Sequence, residues 1–313
     1  MEQSNSEKTK QNQTIPKARL SFYEEIRKNK IYSGILIVLI FIVLIAFGYV
    51  IGMAMGPDYF LIIMITATIF SIVYIVVGYY KSHNIALASV GAKKATQEKY
   101  RQYHNIVEGL CLASGMPKPG LYVMEEKSIN AFASGRNPEK SVICVTTGAL
   151  EKLNKQELEG VLSHELSHIA NYDIRFMTLT AVLIGMISII SQIFLRSLFW
   201  SSFSGGKGSK NNSNAIFLII GIALAILAPI AVSLVRLAIS RKREYTADAT
   251  GVKMTRSPTG LIGALEKINT SAGMEKKVSG AVAPLFISSP SKMQVMFATH
   301  PPIEQRISRL RRM

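Results

Sequence analysis

Cysteine is almost missing from this chain: 313 residues hold two, Cys111 and Cys144, with no paired spacing. That excludes a disulfide framework and a thiolate metal site, and both read as reduced, buried, structural thiols. Charge is missing from two long runs, Ile31–Gly52 and Tyr59–Tyr80. Each has about 22 residues, enough to cross a bilayer as a helix. The first run starts late, is too long for a signal-peptide core and lacks a small-x-small exit, so it does not read as a removable signal. Phe176–Leu198, interrupted by Gln192 and Arg196, and Ala215–Val235 are two further candidates. Four spans would permit a transporter or channel, but these spans carry almost no ionisable residue to mark a pathway.

Acidic residues are scarce, 20 against 36 Lys and Arg, leaving a net charge of +16. Such an excess suggests nucleic acid, yet no recognition motif is present and none is expected to bind. The basic residues are placed unevenly. Seven precede Ile31, 12 fall in Lys81–Arg175 and 14 follow from Arg236 onward, while Arg196–Asn214 has three. On a four-span topology this is the positive-inside pattern, with the basic segments facing anionic lipid headgroups on the cytoplasmic side of the cell membrane.

The expected organisation therefore has five parts. Residues 1–30 form a loose cytoplasmic tail with a short helix near Phe22–Lys28. A membrane hairpin follows over 31–80, turned by Gly56-Pro57-Asp58. Residues 81–175 are cytoplasmic, 176–235 form a second membrane hairpin, and 236–313 are cytoplasmic again. In the first cytoplasmic part a helical stripe over Lys93–Ser114 stops at Gly115 and Pro117. Three β-type runs follow, Leu121–Met124, Ile129–Ala133 and Val142–Thr146, the last two reading as a hairpin around Ser134–Pro138. The expected fold is an α+β membrane protein with four transmembrane helices and a cytoplasmic domain built on a small antiparallel sheet.

Histidine is the other rare residue, five in the chain, and two stand in His164-Glu165-Leu166-Ser167-His168. On a helix, residues four apart share a face, so both imidazoles can reach one metal ion. Glu165 projects beside that face, where it can take a proton from water. This is the H-E-x-x-H pattern of zinc peptidases. Asn154 is the expected N-cap of this helix, which is expected to run nearly straight into the third span with Asp173 and Arg175 at the boundary. His83 and His104 are isolated and read as uninvolved in metal binding. Past the basic collar Arg236–Arg243 stand Glu244 and Asp248, four apart on a helical continuation of the fourth span. Glu244 completes a His-His-Glu zinc set, and Asp248 suits a role as acceptor for the free ring N–H of a ligating His. A plain juxtamembrane helix with exposed acids is the alternative at these two positions.

HELSHIANYD, REYTAD and ATHPPIEQRI, with NAFASGRNP and VTTGAL ahead of them, resemble the HtpX family of membrane-bound zinc metalloproteases. That family is related more distantly to the CAAX prenyl proteases, and the similarity covers the chain from the first span onward. It implies a zincin-like endopeptidase holding one Zn2+ per chain through His164, His168 and Glu244, with Glu165 as catalytic base. It implies that Asn130, Ala131, Phe132 and Ala133 lie on the strand that aligns substrate. It also implies that His300 and Arg306 sit near the metal and stabilise the oxyanion. The substrates it implies are misfolded or damaged membrane proteins, cut on the cytoplasmic side in membrane protein quality control. A scaffold that keeps zinc only for stability is the competing possibility. The helix around Leu261–Ile268 and a charged one after Pro301-Pro302 complete the expected elements.

Overall fold

The computed structural model describes residues 22–203, 221, 241–271, 282–288 and 301–313. Helix α1 (Phe22–Met55) absorbs the expected short helix and the first apolar run in one piece, turns at Gly56, and is followed by α2 (Pro57–Ser89). Pro57 fits the first turn because its missing N–H would have no partner there, and Asp58 complements the positive helix end. Both helices are long and apolar enough to cross a membrane. Only 6% of the most apolar stretch of α2 is buried inside the protein. Leu61, Ile62, Ile69 and Val73 point outward, as a lipid-facing surface requires. The expected third span lies within α6 (Asp173–Phe203), whose Phe176, Met177, Leu179, Leu183 and Met186 are buried. The expected fourth span, 215–235, lies outside the described residues.

Four strands follow the membrane hairpin or are interleaved with helices: β1 (Lys93–Lys94), β2 (Gly120–Met124), β3 (Ala131–Asn137) and β4 (Lys140–Thr146), in the order β1-β2-β4-β3. The sheet is mixed rather than antiparallel. β3 and β4 pair antiparallel as expected, but β2 pairs parallel with β4. The physical reason is the composition of β4. Ile143 and Val145 join one apolar cluster while Val142 and Cys144 join the other, so β4 is apolar on both faces and takes the interior position. The hairpin therefore folds β4 in between β2 and β3. Its turn is also shorter than expected. Ser134–Asn137 belong to β3, with a register irregularity between Gly135 and Asn137, and only Pro138-Glu139 lie between the strands.

The two faces of β4 explain what the sheet joins. One cluster contains helices α3 (Arg101–Ser114), α5 (Lys155–Ala170) and α8 (Thr259–Thr270); the other contains α1, α2 and α6. α3 starts eight residues later than its stripe suggested, because Lys93 and Lys94 pair with Val123 and Tyr122 instead. Tyr103, Ile106, Val107, Leu110 and Cys111 form its buried face. Cys111 and Cys144 are both buried and free. The remaining helices are α4 (Thr147–Lys152), α7 (Arg241–Thr255) and α9 (Ile303–Leu310).

Candidate metal centre

The helix that carries His164 and His168 is set in place at both ends. At its start Asn154 Oδ1 accepts from the Glu157 N–H at 2.9 Å and Glu157 accepts from the Asn154 N–H at 2.8 Å, a reciprocal cap. Lys267 of α8 adds a 2.7 Å contact to Glu157. At its end α5 does not run straight into the next helix. Tyr172 takes φ 59°, a left-handed conformation that stops one helix and re-aims the next. Between these ends α5 is buried from Val161 to Ile169, and its histidines face α7 in the interior.

α7 can approach because a small residue lies where the helices cross. Glu244, Ala247, Asp248 and Gly251 recur at helical spacing and are all buried. A Cβ at Gly251 would stand 3.0 Å from Ser163 Oγ and 3.2 Å from the His164 nitrogen. The close crossing brings Glu244 to the histidines. His164 Nε2 and His168 Nε2 are 3.2 Å apart, and each is 3.7 Å from a carboxylate oxygen of Glu244. The three are the one His/Cys/Asp/Glu group among the described residues that could hold a metal ion. Tetrahedral zinc with nitrogen and oxygen donors needs ligand atoms about 3.3 Å apart, so the residues fit such an ion with little adjustment.

The other ring nitrogens are committed to carboxylates. His164 Nδ1 donates to Asp248 at 3.0 Å, and His168 Nδ1 donates to Asp173 at 3.0 Å. Each pairing fixes a tautomer that leaves Nε2 for a metal. Asp248 thus lies beside His164. The sequence marks Asp173 only as a boundary residue; its signal is an acid just past the end of the helix that carries His164 and His168.

Arg306 arrives from α9 with its side chain wholly buried. Its Nε and Nη2 donate to Asp248 at 2.9 and 2.6 Å, and Nη1 lies 3.4 Å from the Ile287 carbonyl and 3.6 Å from Glu244. Such a bidentate pair is the arrangement that suits a guanidinium away from water. Burial alone would push the Asp248 carboxyl up, but Arg306 and His164 pull it down to about 2. Burial and Arg306 hold His164 down to about 4. His168 goes the other way. Burial is outweighed by Asp173 and Glu244, which raise it to about 9. Glu165 is pushed up to about 7, first by burial and further by Glu244, with His168 and Arg306 opposing. A carboxyl poised there can both accept and return a proton near neutrality.

Ala133 of β3 offers its backbone to Glu165, so the strand NAFA borders the site. Much of its edge is engaged. Ala131 O accepts from the Ile287 N–H at 2.9 Å, Asn130 Nδ2 donates to Ser288 O at 3.1 Å, and Phe132 bridges to Phe286. His300 lies outside the described residues. His104 bonds the Ala95 carbonyl at 2.9 Å, and neither it nor His83 joins the metal-type group.

Two histidines one helical turn apart, a glutamate from a second helix and a buried acid beside them define a metallopeptidase centre. The peptidase family M48 profile matches residues 97–313. A protease HtpX homolog of Thermoanaerobacter pseudethanolicus is 44% identical over 296 residues, covering 94% of this chain and 98% of its own length. The homolog of Caldanaerobacter subterraneus is 46% identical over 290 residues, covering 92% and 95%. The solved structure of Ste24p from S. mikatae overlays 91% of this chain and 66% of its own, with a TM-score of 0.49 and 18% identity. The chain belongs to peptidase family M48, among its HtpX members, and is a membrane metalloprotease.

Proposed function

We propose that this chain is a multi-pass, zinc-dependent endopeptidase that cleaves misfolded or damaged membrane proteins on the cytoplasmic side, in membrane protein quality control. One observation carries the chemistry: His164, His168 and Glu244 meet at metal-ligand spacing with Glu165 beside them. His164, His168 and Glu244 would hold a zinc ion, which when bound would supply Lewis acidity toward a peptide carbonyl and toward water. Glu165 takes the proton from the attacking water and passes it to the leaving amine as the C–N bond breaks. Asp248 and Asp173 keep His164 and His168 in the metal-binding tautomer.

Asn130–Ala133 is the proposed substrate strand. An extended peptide gains backbone hydrogen bonds by adding to such an edge without demanding a sequence. To reach Ala131 it would take the place of Ile287, whose N–H now uses that carbonyl. His300 and Arg306 are the proposed oxyanion donors. Two of the Arg306 nitrogens are taken by Asp248 and Nη1 donates to the Ile287 carbonyl at 3.4 Å, so Arg306 would reach a substrate through Nη1 once Ile287 is displaced.

The four-span topology, with 176–198 and 215–235 as the second hairpin and anionic headgroups against the basic segments, is supported by the charge distribution. A reporter fused within residues 201–214 is expected on the outer side; a cytoplasmic reporter would overturn it. The chemistry is tested by metal analysis of wild type beside His168→Ala and Glu244→Ala. Near-stoichiometric zinc in wild type and its loss from both variants is expected. Full zinc and proteolysis in Glu244→Ala would remove the third ligand. The substrate class is tested by offering purified protein a membrane substrate and a soluble unfolded one, with equal cleavage counting against it.

A further inference from the structure

The first membrane helix carries a basic stretch near its start, Arg27-Lys28-Asn29-Lys30, in which Arg27, Lys28 and Lys30 are exposed while Asn29 is buried. Burying an amide amid lysines is costly unless every polar atom finds a partner. Asn29 finds them 142 and more residues away. Its Nδ2 donates to the Asn171 carbonyl at 2.9 Å and to Asp173 Oδ1 at 2.7 Å. Its Oδ1 accepts from Arg243 Nη2 at 3.2 Å. Arg243 in turn reaches Asp173 Oδ1 through Nε at 2.9 Å, and Asp173 Oδ2 accepts from His168. Beside this knot, Lys30 sits 4.4 Å over the ring of Tyr172, the residue at which α5 breaks.

The chemistry of position 29 is restrictive. It must donate to a carboxylate and accept from a guanidinium at once, which a primary amide does and which neither a carboxylate nor an ammonium can do. The two groups it joins lie next to the metal-type donors on separate helices. Asp173 orients His168 on α5, and Arg243 precedes Glu244 on α7. We propose that Asn29 is a positioning residue for the metal centre, through which the inner end of α1 fixes Asp173, and hence the His168 ring, against Arg243 beside Glu244. The first membrane helix is then part of the site's framework as well as an anchor. This rests on the assignment of His164, His168 and Glu244 as metal ligands.

The test uses the full-length protein in detergent or nanodiscs, with zinc affinity measured by chelator competition and the visible spectrum of the Co2+ form. Asn29→Ala is expected to weaken zinc about tenfold, as loss of groups supporting a ligand does, and to shift the Co2+ bands. Exposed Lys28→Ala is expected to change neither. Asn29→Asp, which sets two carboxylates together, is expected to bind zinc more weakly than Asn29→Ala. Combining it with Asp173→Asn, an exchange of the two side chains, removes the facing carboxylates and lets an amide at 173 donate to a carboxylate at 29. The pair is expected to bind zinc more tightly than Asn29→Asp alone while staying weaker than wild type, because Arg243 Nε loses its acceptor at 173 and the Asn171 carbonyl its donor at 29. The exchange keeps the volume of the knot, so it also serves if Asn29→Ala melts below the assay temperature. Zinc affinity within twofold of wild type and an unchanged Co2+ spectrum in Asn29→Ala would overturn the proposal, as would failure of the exchange to recover anything. His168→Ala separates the two failures. If it too keeps zinc, the ligand assignment is at fault and the proposal falls with it.

Discussion

Arg306 grips Asp248 with two hydrogen bonds, 2.9 Å from Nε and 2.6 Å from Nη2, in surroundings where neither side chain touches solvent. A buried pair of this kind is weak evidence for net stability, but breaking it from one side strands a charge. Arg306→Met is therefore expected to destabilise the protein by about 3–5 kcal/mol, since Asp248 and nearby Glu244 lose their cation. Arg306→Met with Asp248→Leu should recover much of that loss in a thermal melt. Zinc affinity should stay roughly ten- to a hundredfold weaker, because His164 has lost the acceptor that orients it. A melt of Arg306→Met at the wild-type temperature would contradict this account.

Glu165 separates metal binding from chemistry. Its carboxyl sits on the helix turn that carries the histidines, bordered by Ala133, and is not one of the metal-type donors. Glu165→Gln should keep zinc near one per chain and lose roughly a hundred- to ten-thousandfold in proteolysis, the range for removal of a general base. Unchanged cleavage would point to a different base; lost zinc would point to a structural role.

The pH dependence of metal binding follows from His168. In the metal-free protein Asp173 and Glu244 raise this imidazole to about 9, whereas His164 is held down to about 4. Because the folded value of His168 lies above its ordinary one, the stabilisation it gives is complete below about pH 6.5. It is lost as pH rises through about 9. A ligating imidazole must be neutral, so zinc must displace that proton. Zinc binding at pH 7 is expected to release about one proton, falling toward none above pH 9, with affinity rising over the same interval. Calorimetry in buffers of different ionisation enthalpy reads the proton directly, and no release at pH 7 would refute the expectation.

The parts of this site that sequence made legible are those with a fixed local geometry. Four-residue spacing placed His164 with His168 and Glu244 with Asp248, and a capping pattern placed the start of α5. Asp173 and Asn29 were opaque because their meaning lies in contacts made across the chain: the first with a helix that stops short at Tyr172, the second with residues 142 and 144 positions later. The sheet shows the same division. Hairpin pairing of β3 with β4 is local and was readable. The parallel pairing of β2 with β4 was not, because it depends on β4 having apolar partners on both of its faces, and alternation does not say what lies across them.

Two glycines should separate stability from metal binding, because both lie where a helix crosses α5 but meet different obstacles. A Cβ at Gly160 would run into the backbone of Gly260 and Leu261 at the start of α8, and backbone cannot rotate away. Gly160→Ala is therefore expected to cost about 1–3 kcal/mol or more as α8 is pushed off. At Gly251 the nearest atom is the Ser163 hydroxyl at 3.0 Å, followed by the His164 nitrogen at 3.2 Å. Gly251→Ala asks for only a few tenths of an ångström, but it asks for them between Glu244 and the histidines. Its melting temperature should fall less than that of Gly160→Ala while its zinc affinity falls more. If both variants lost stability and metal in equal proportion, the α5–α7 crossing would not set the ligand spacing.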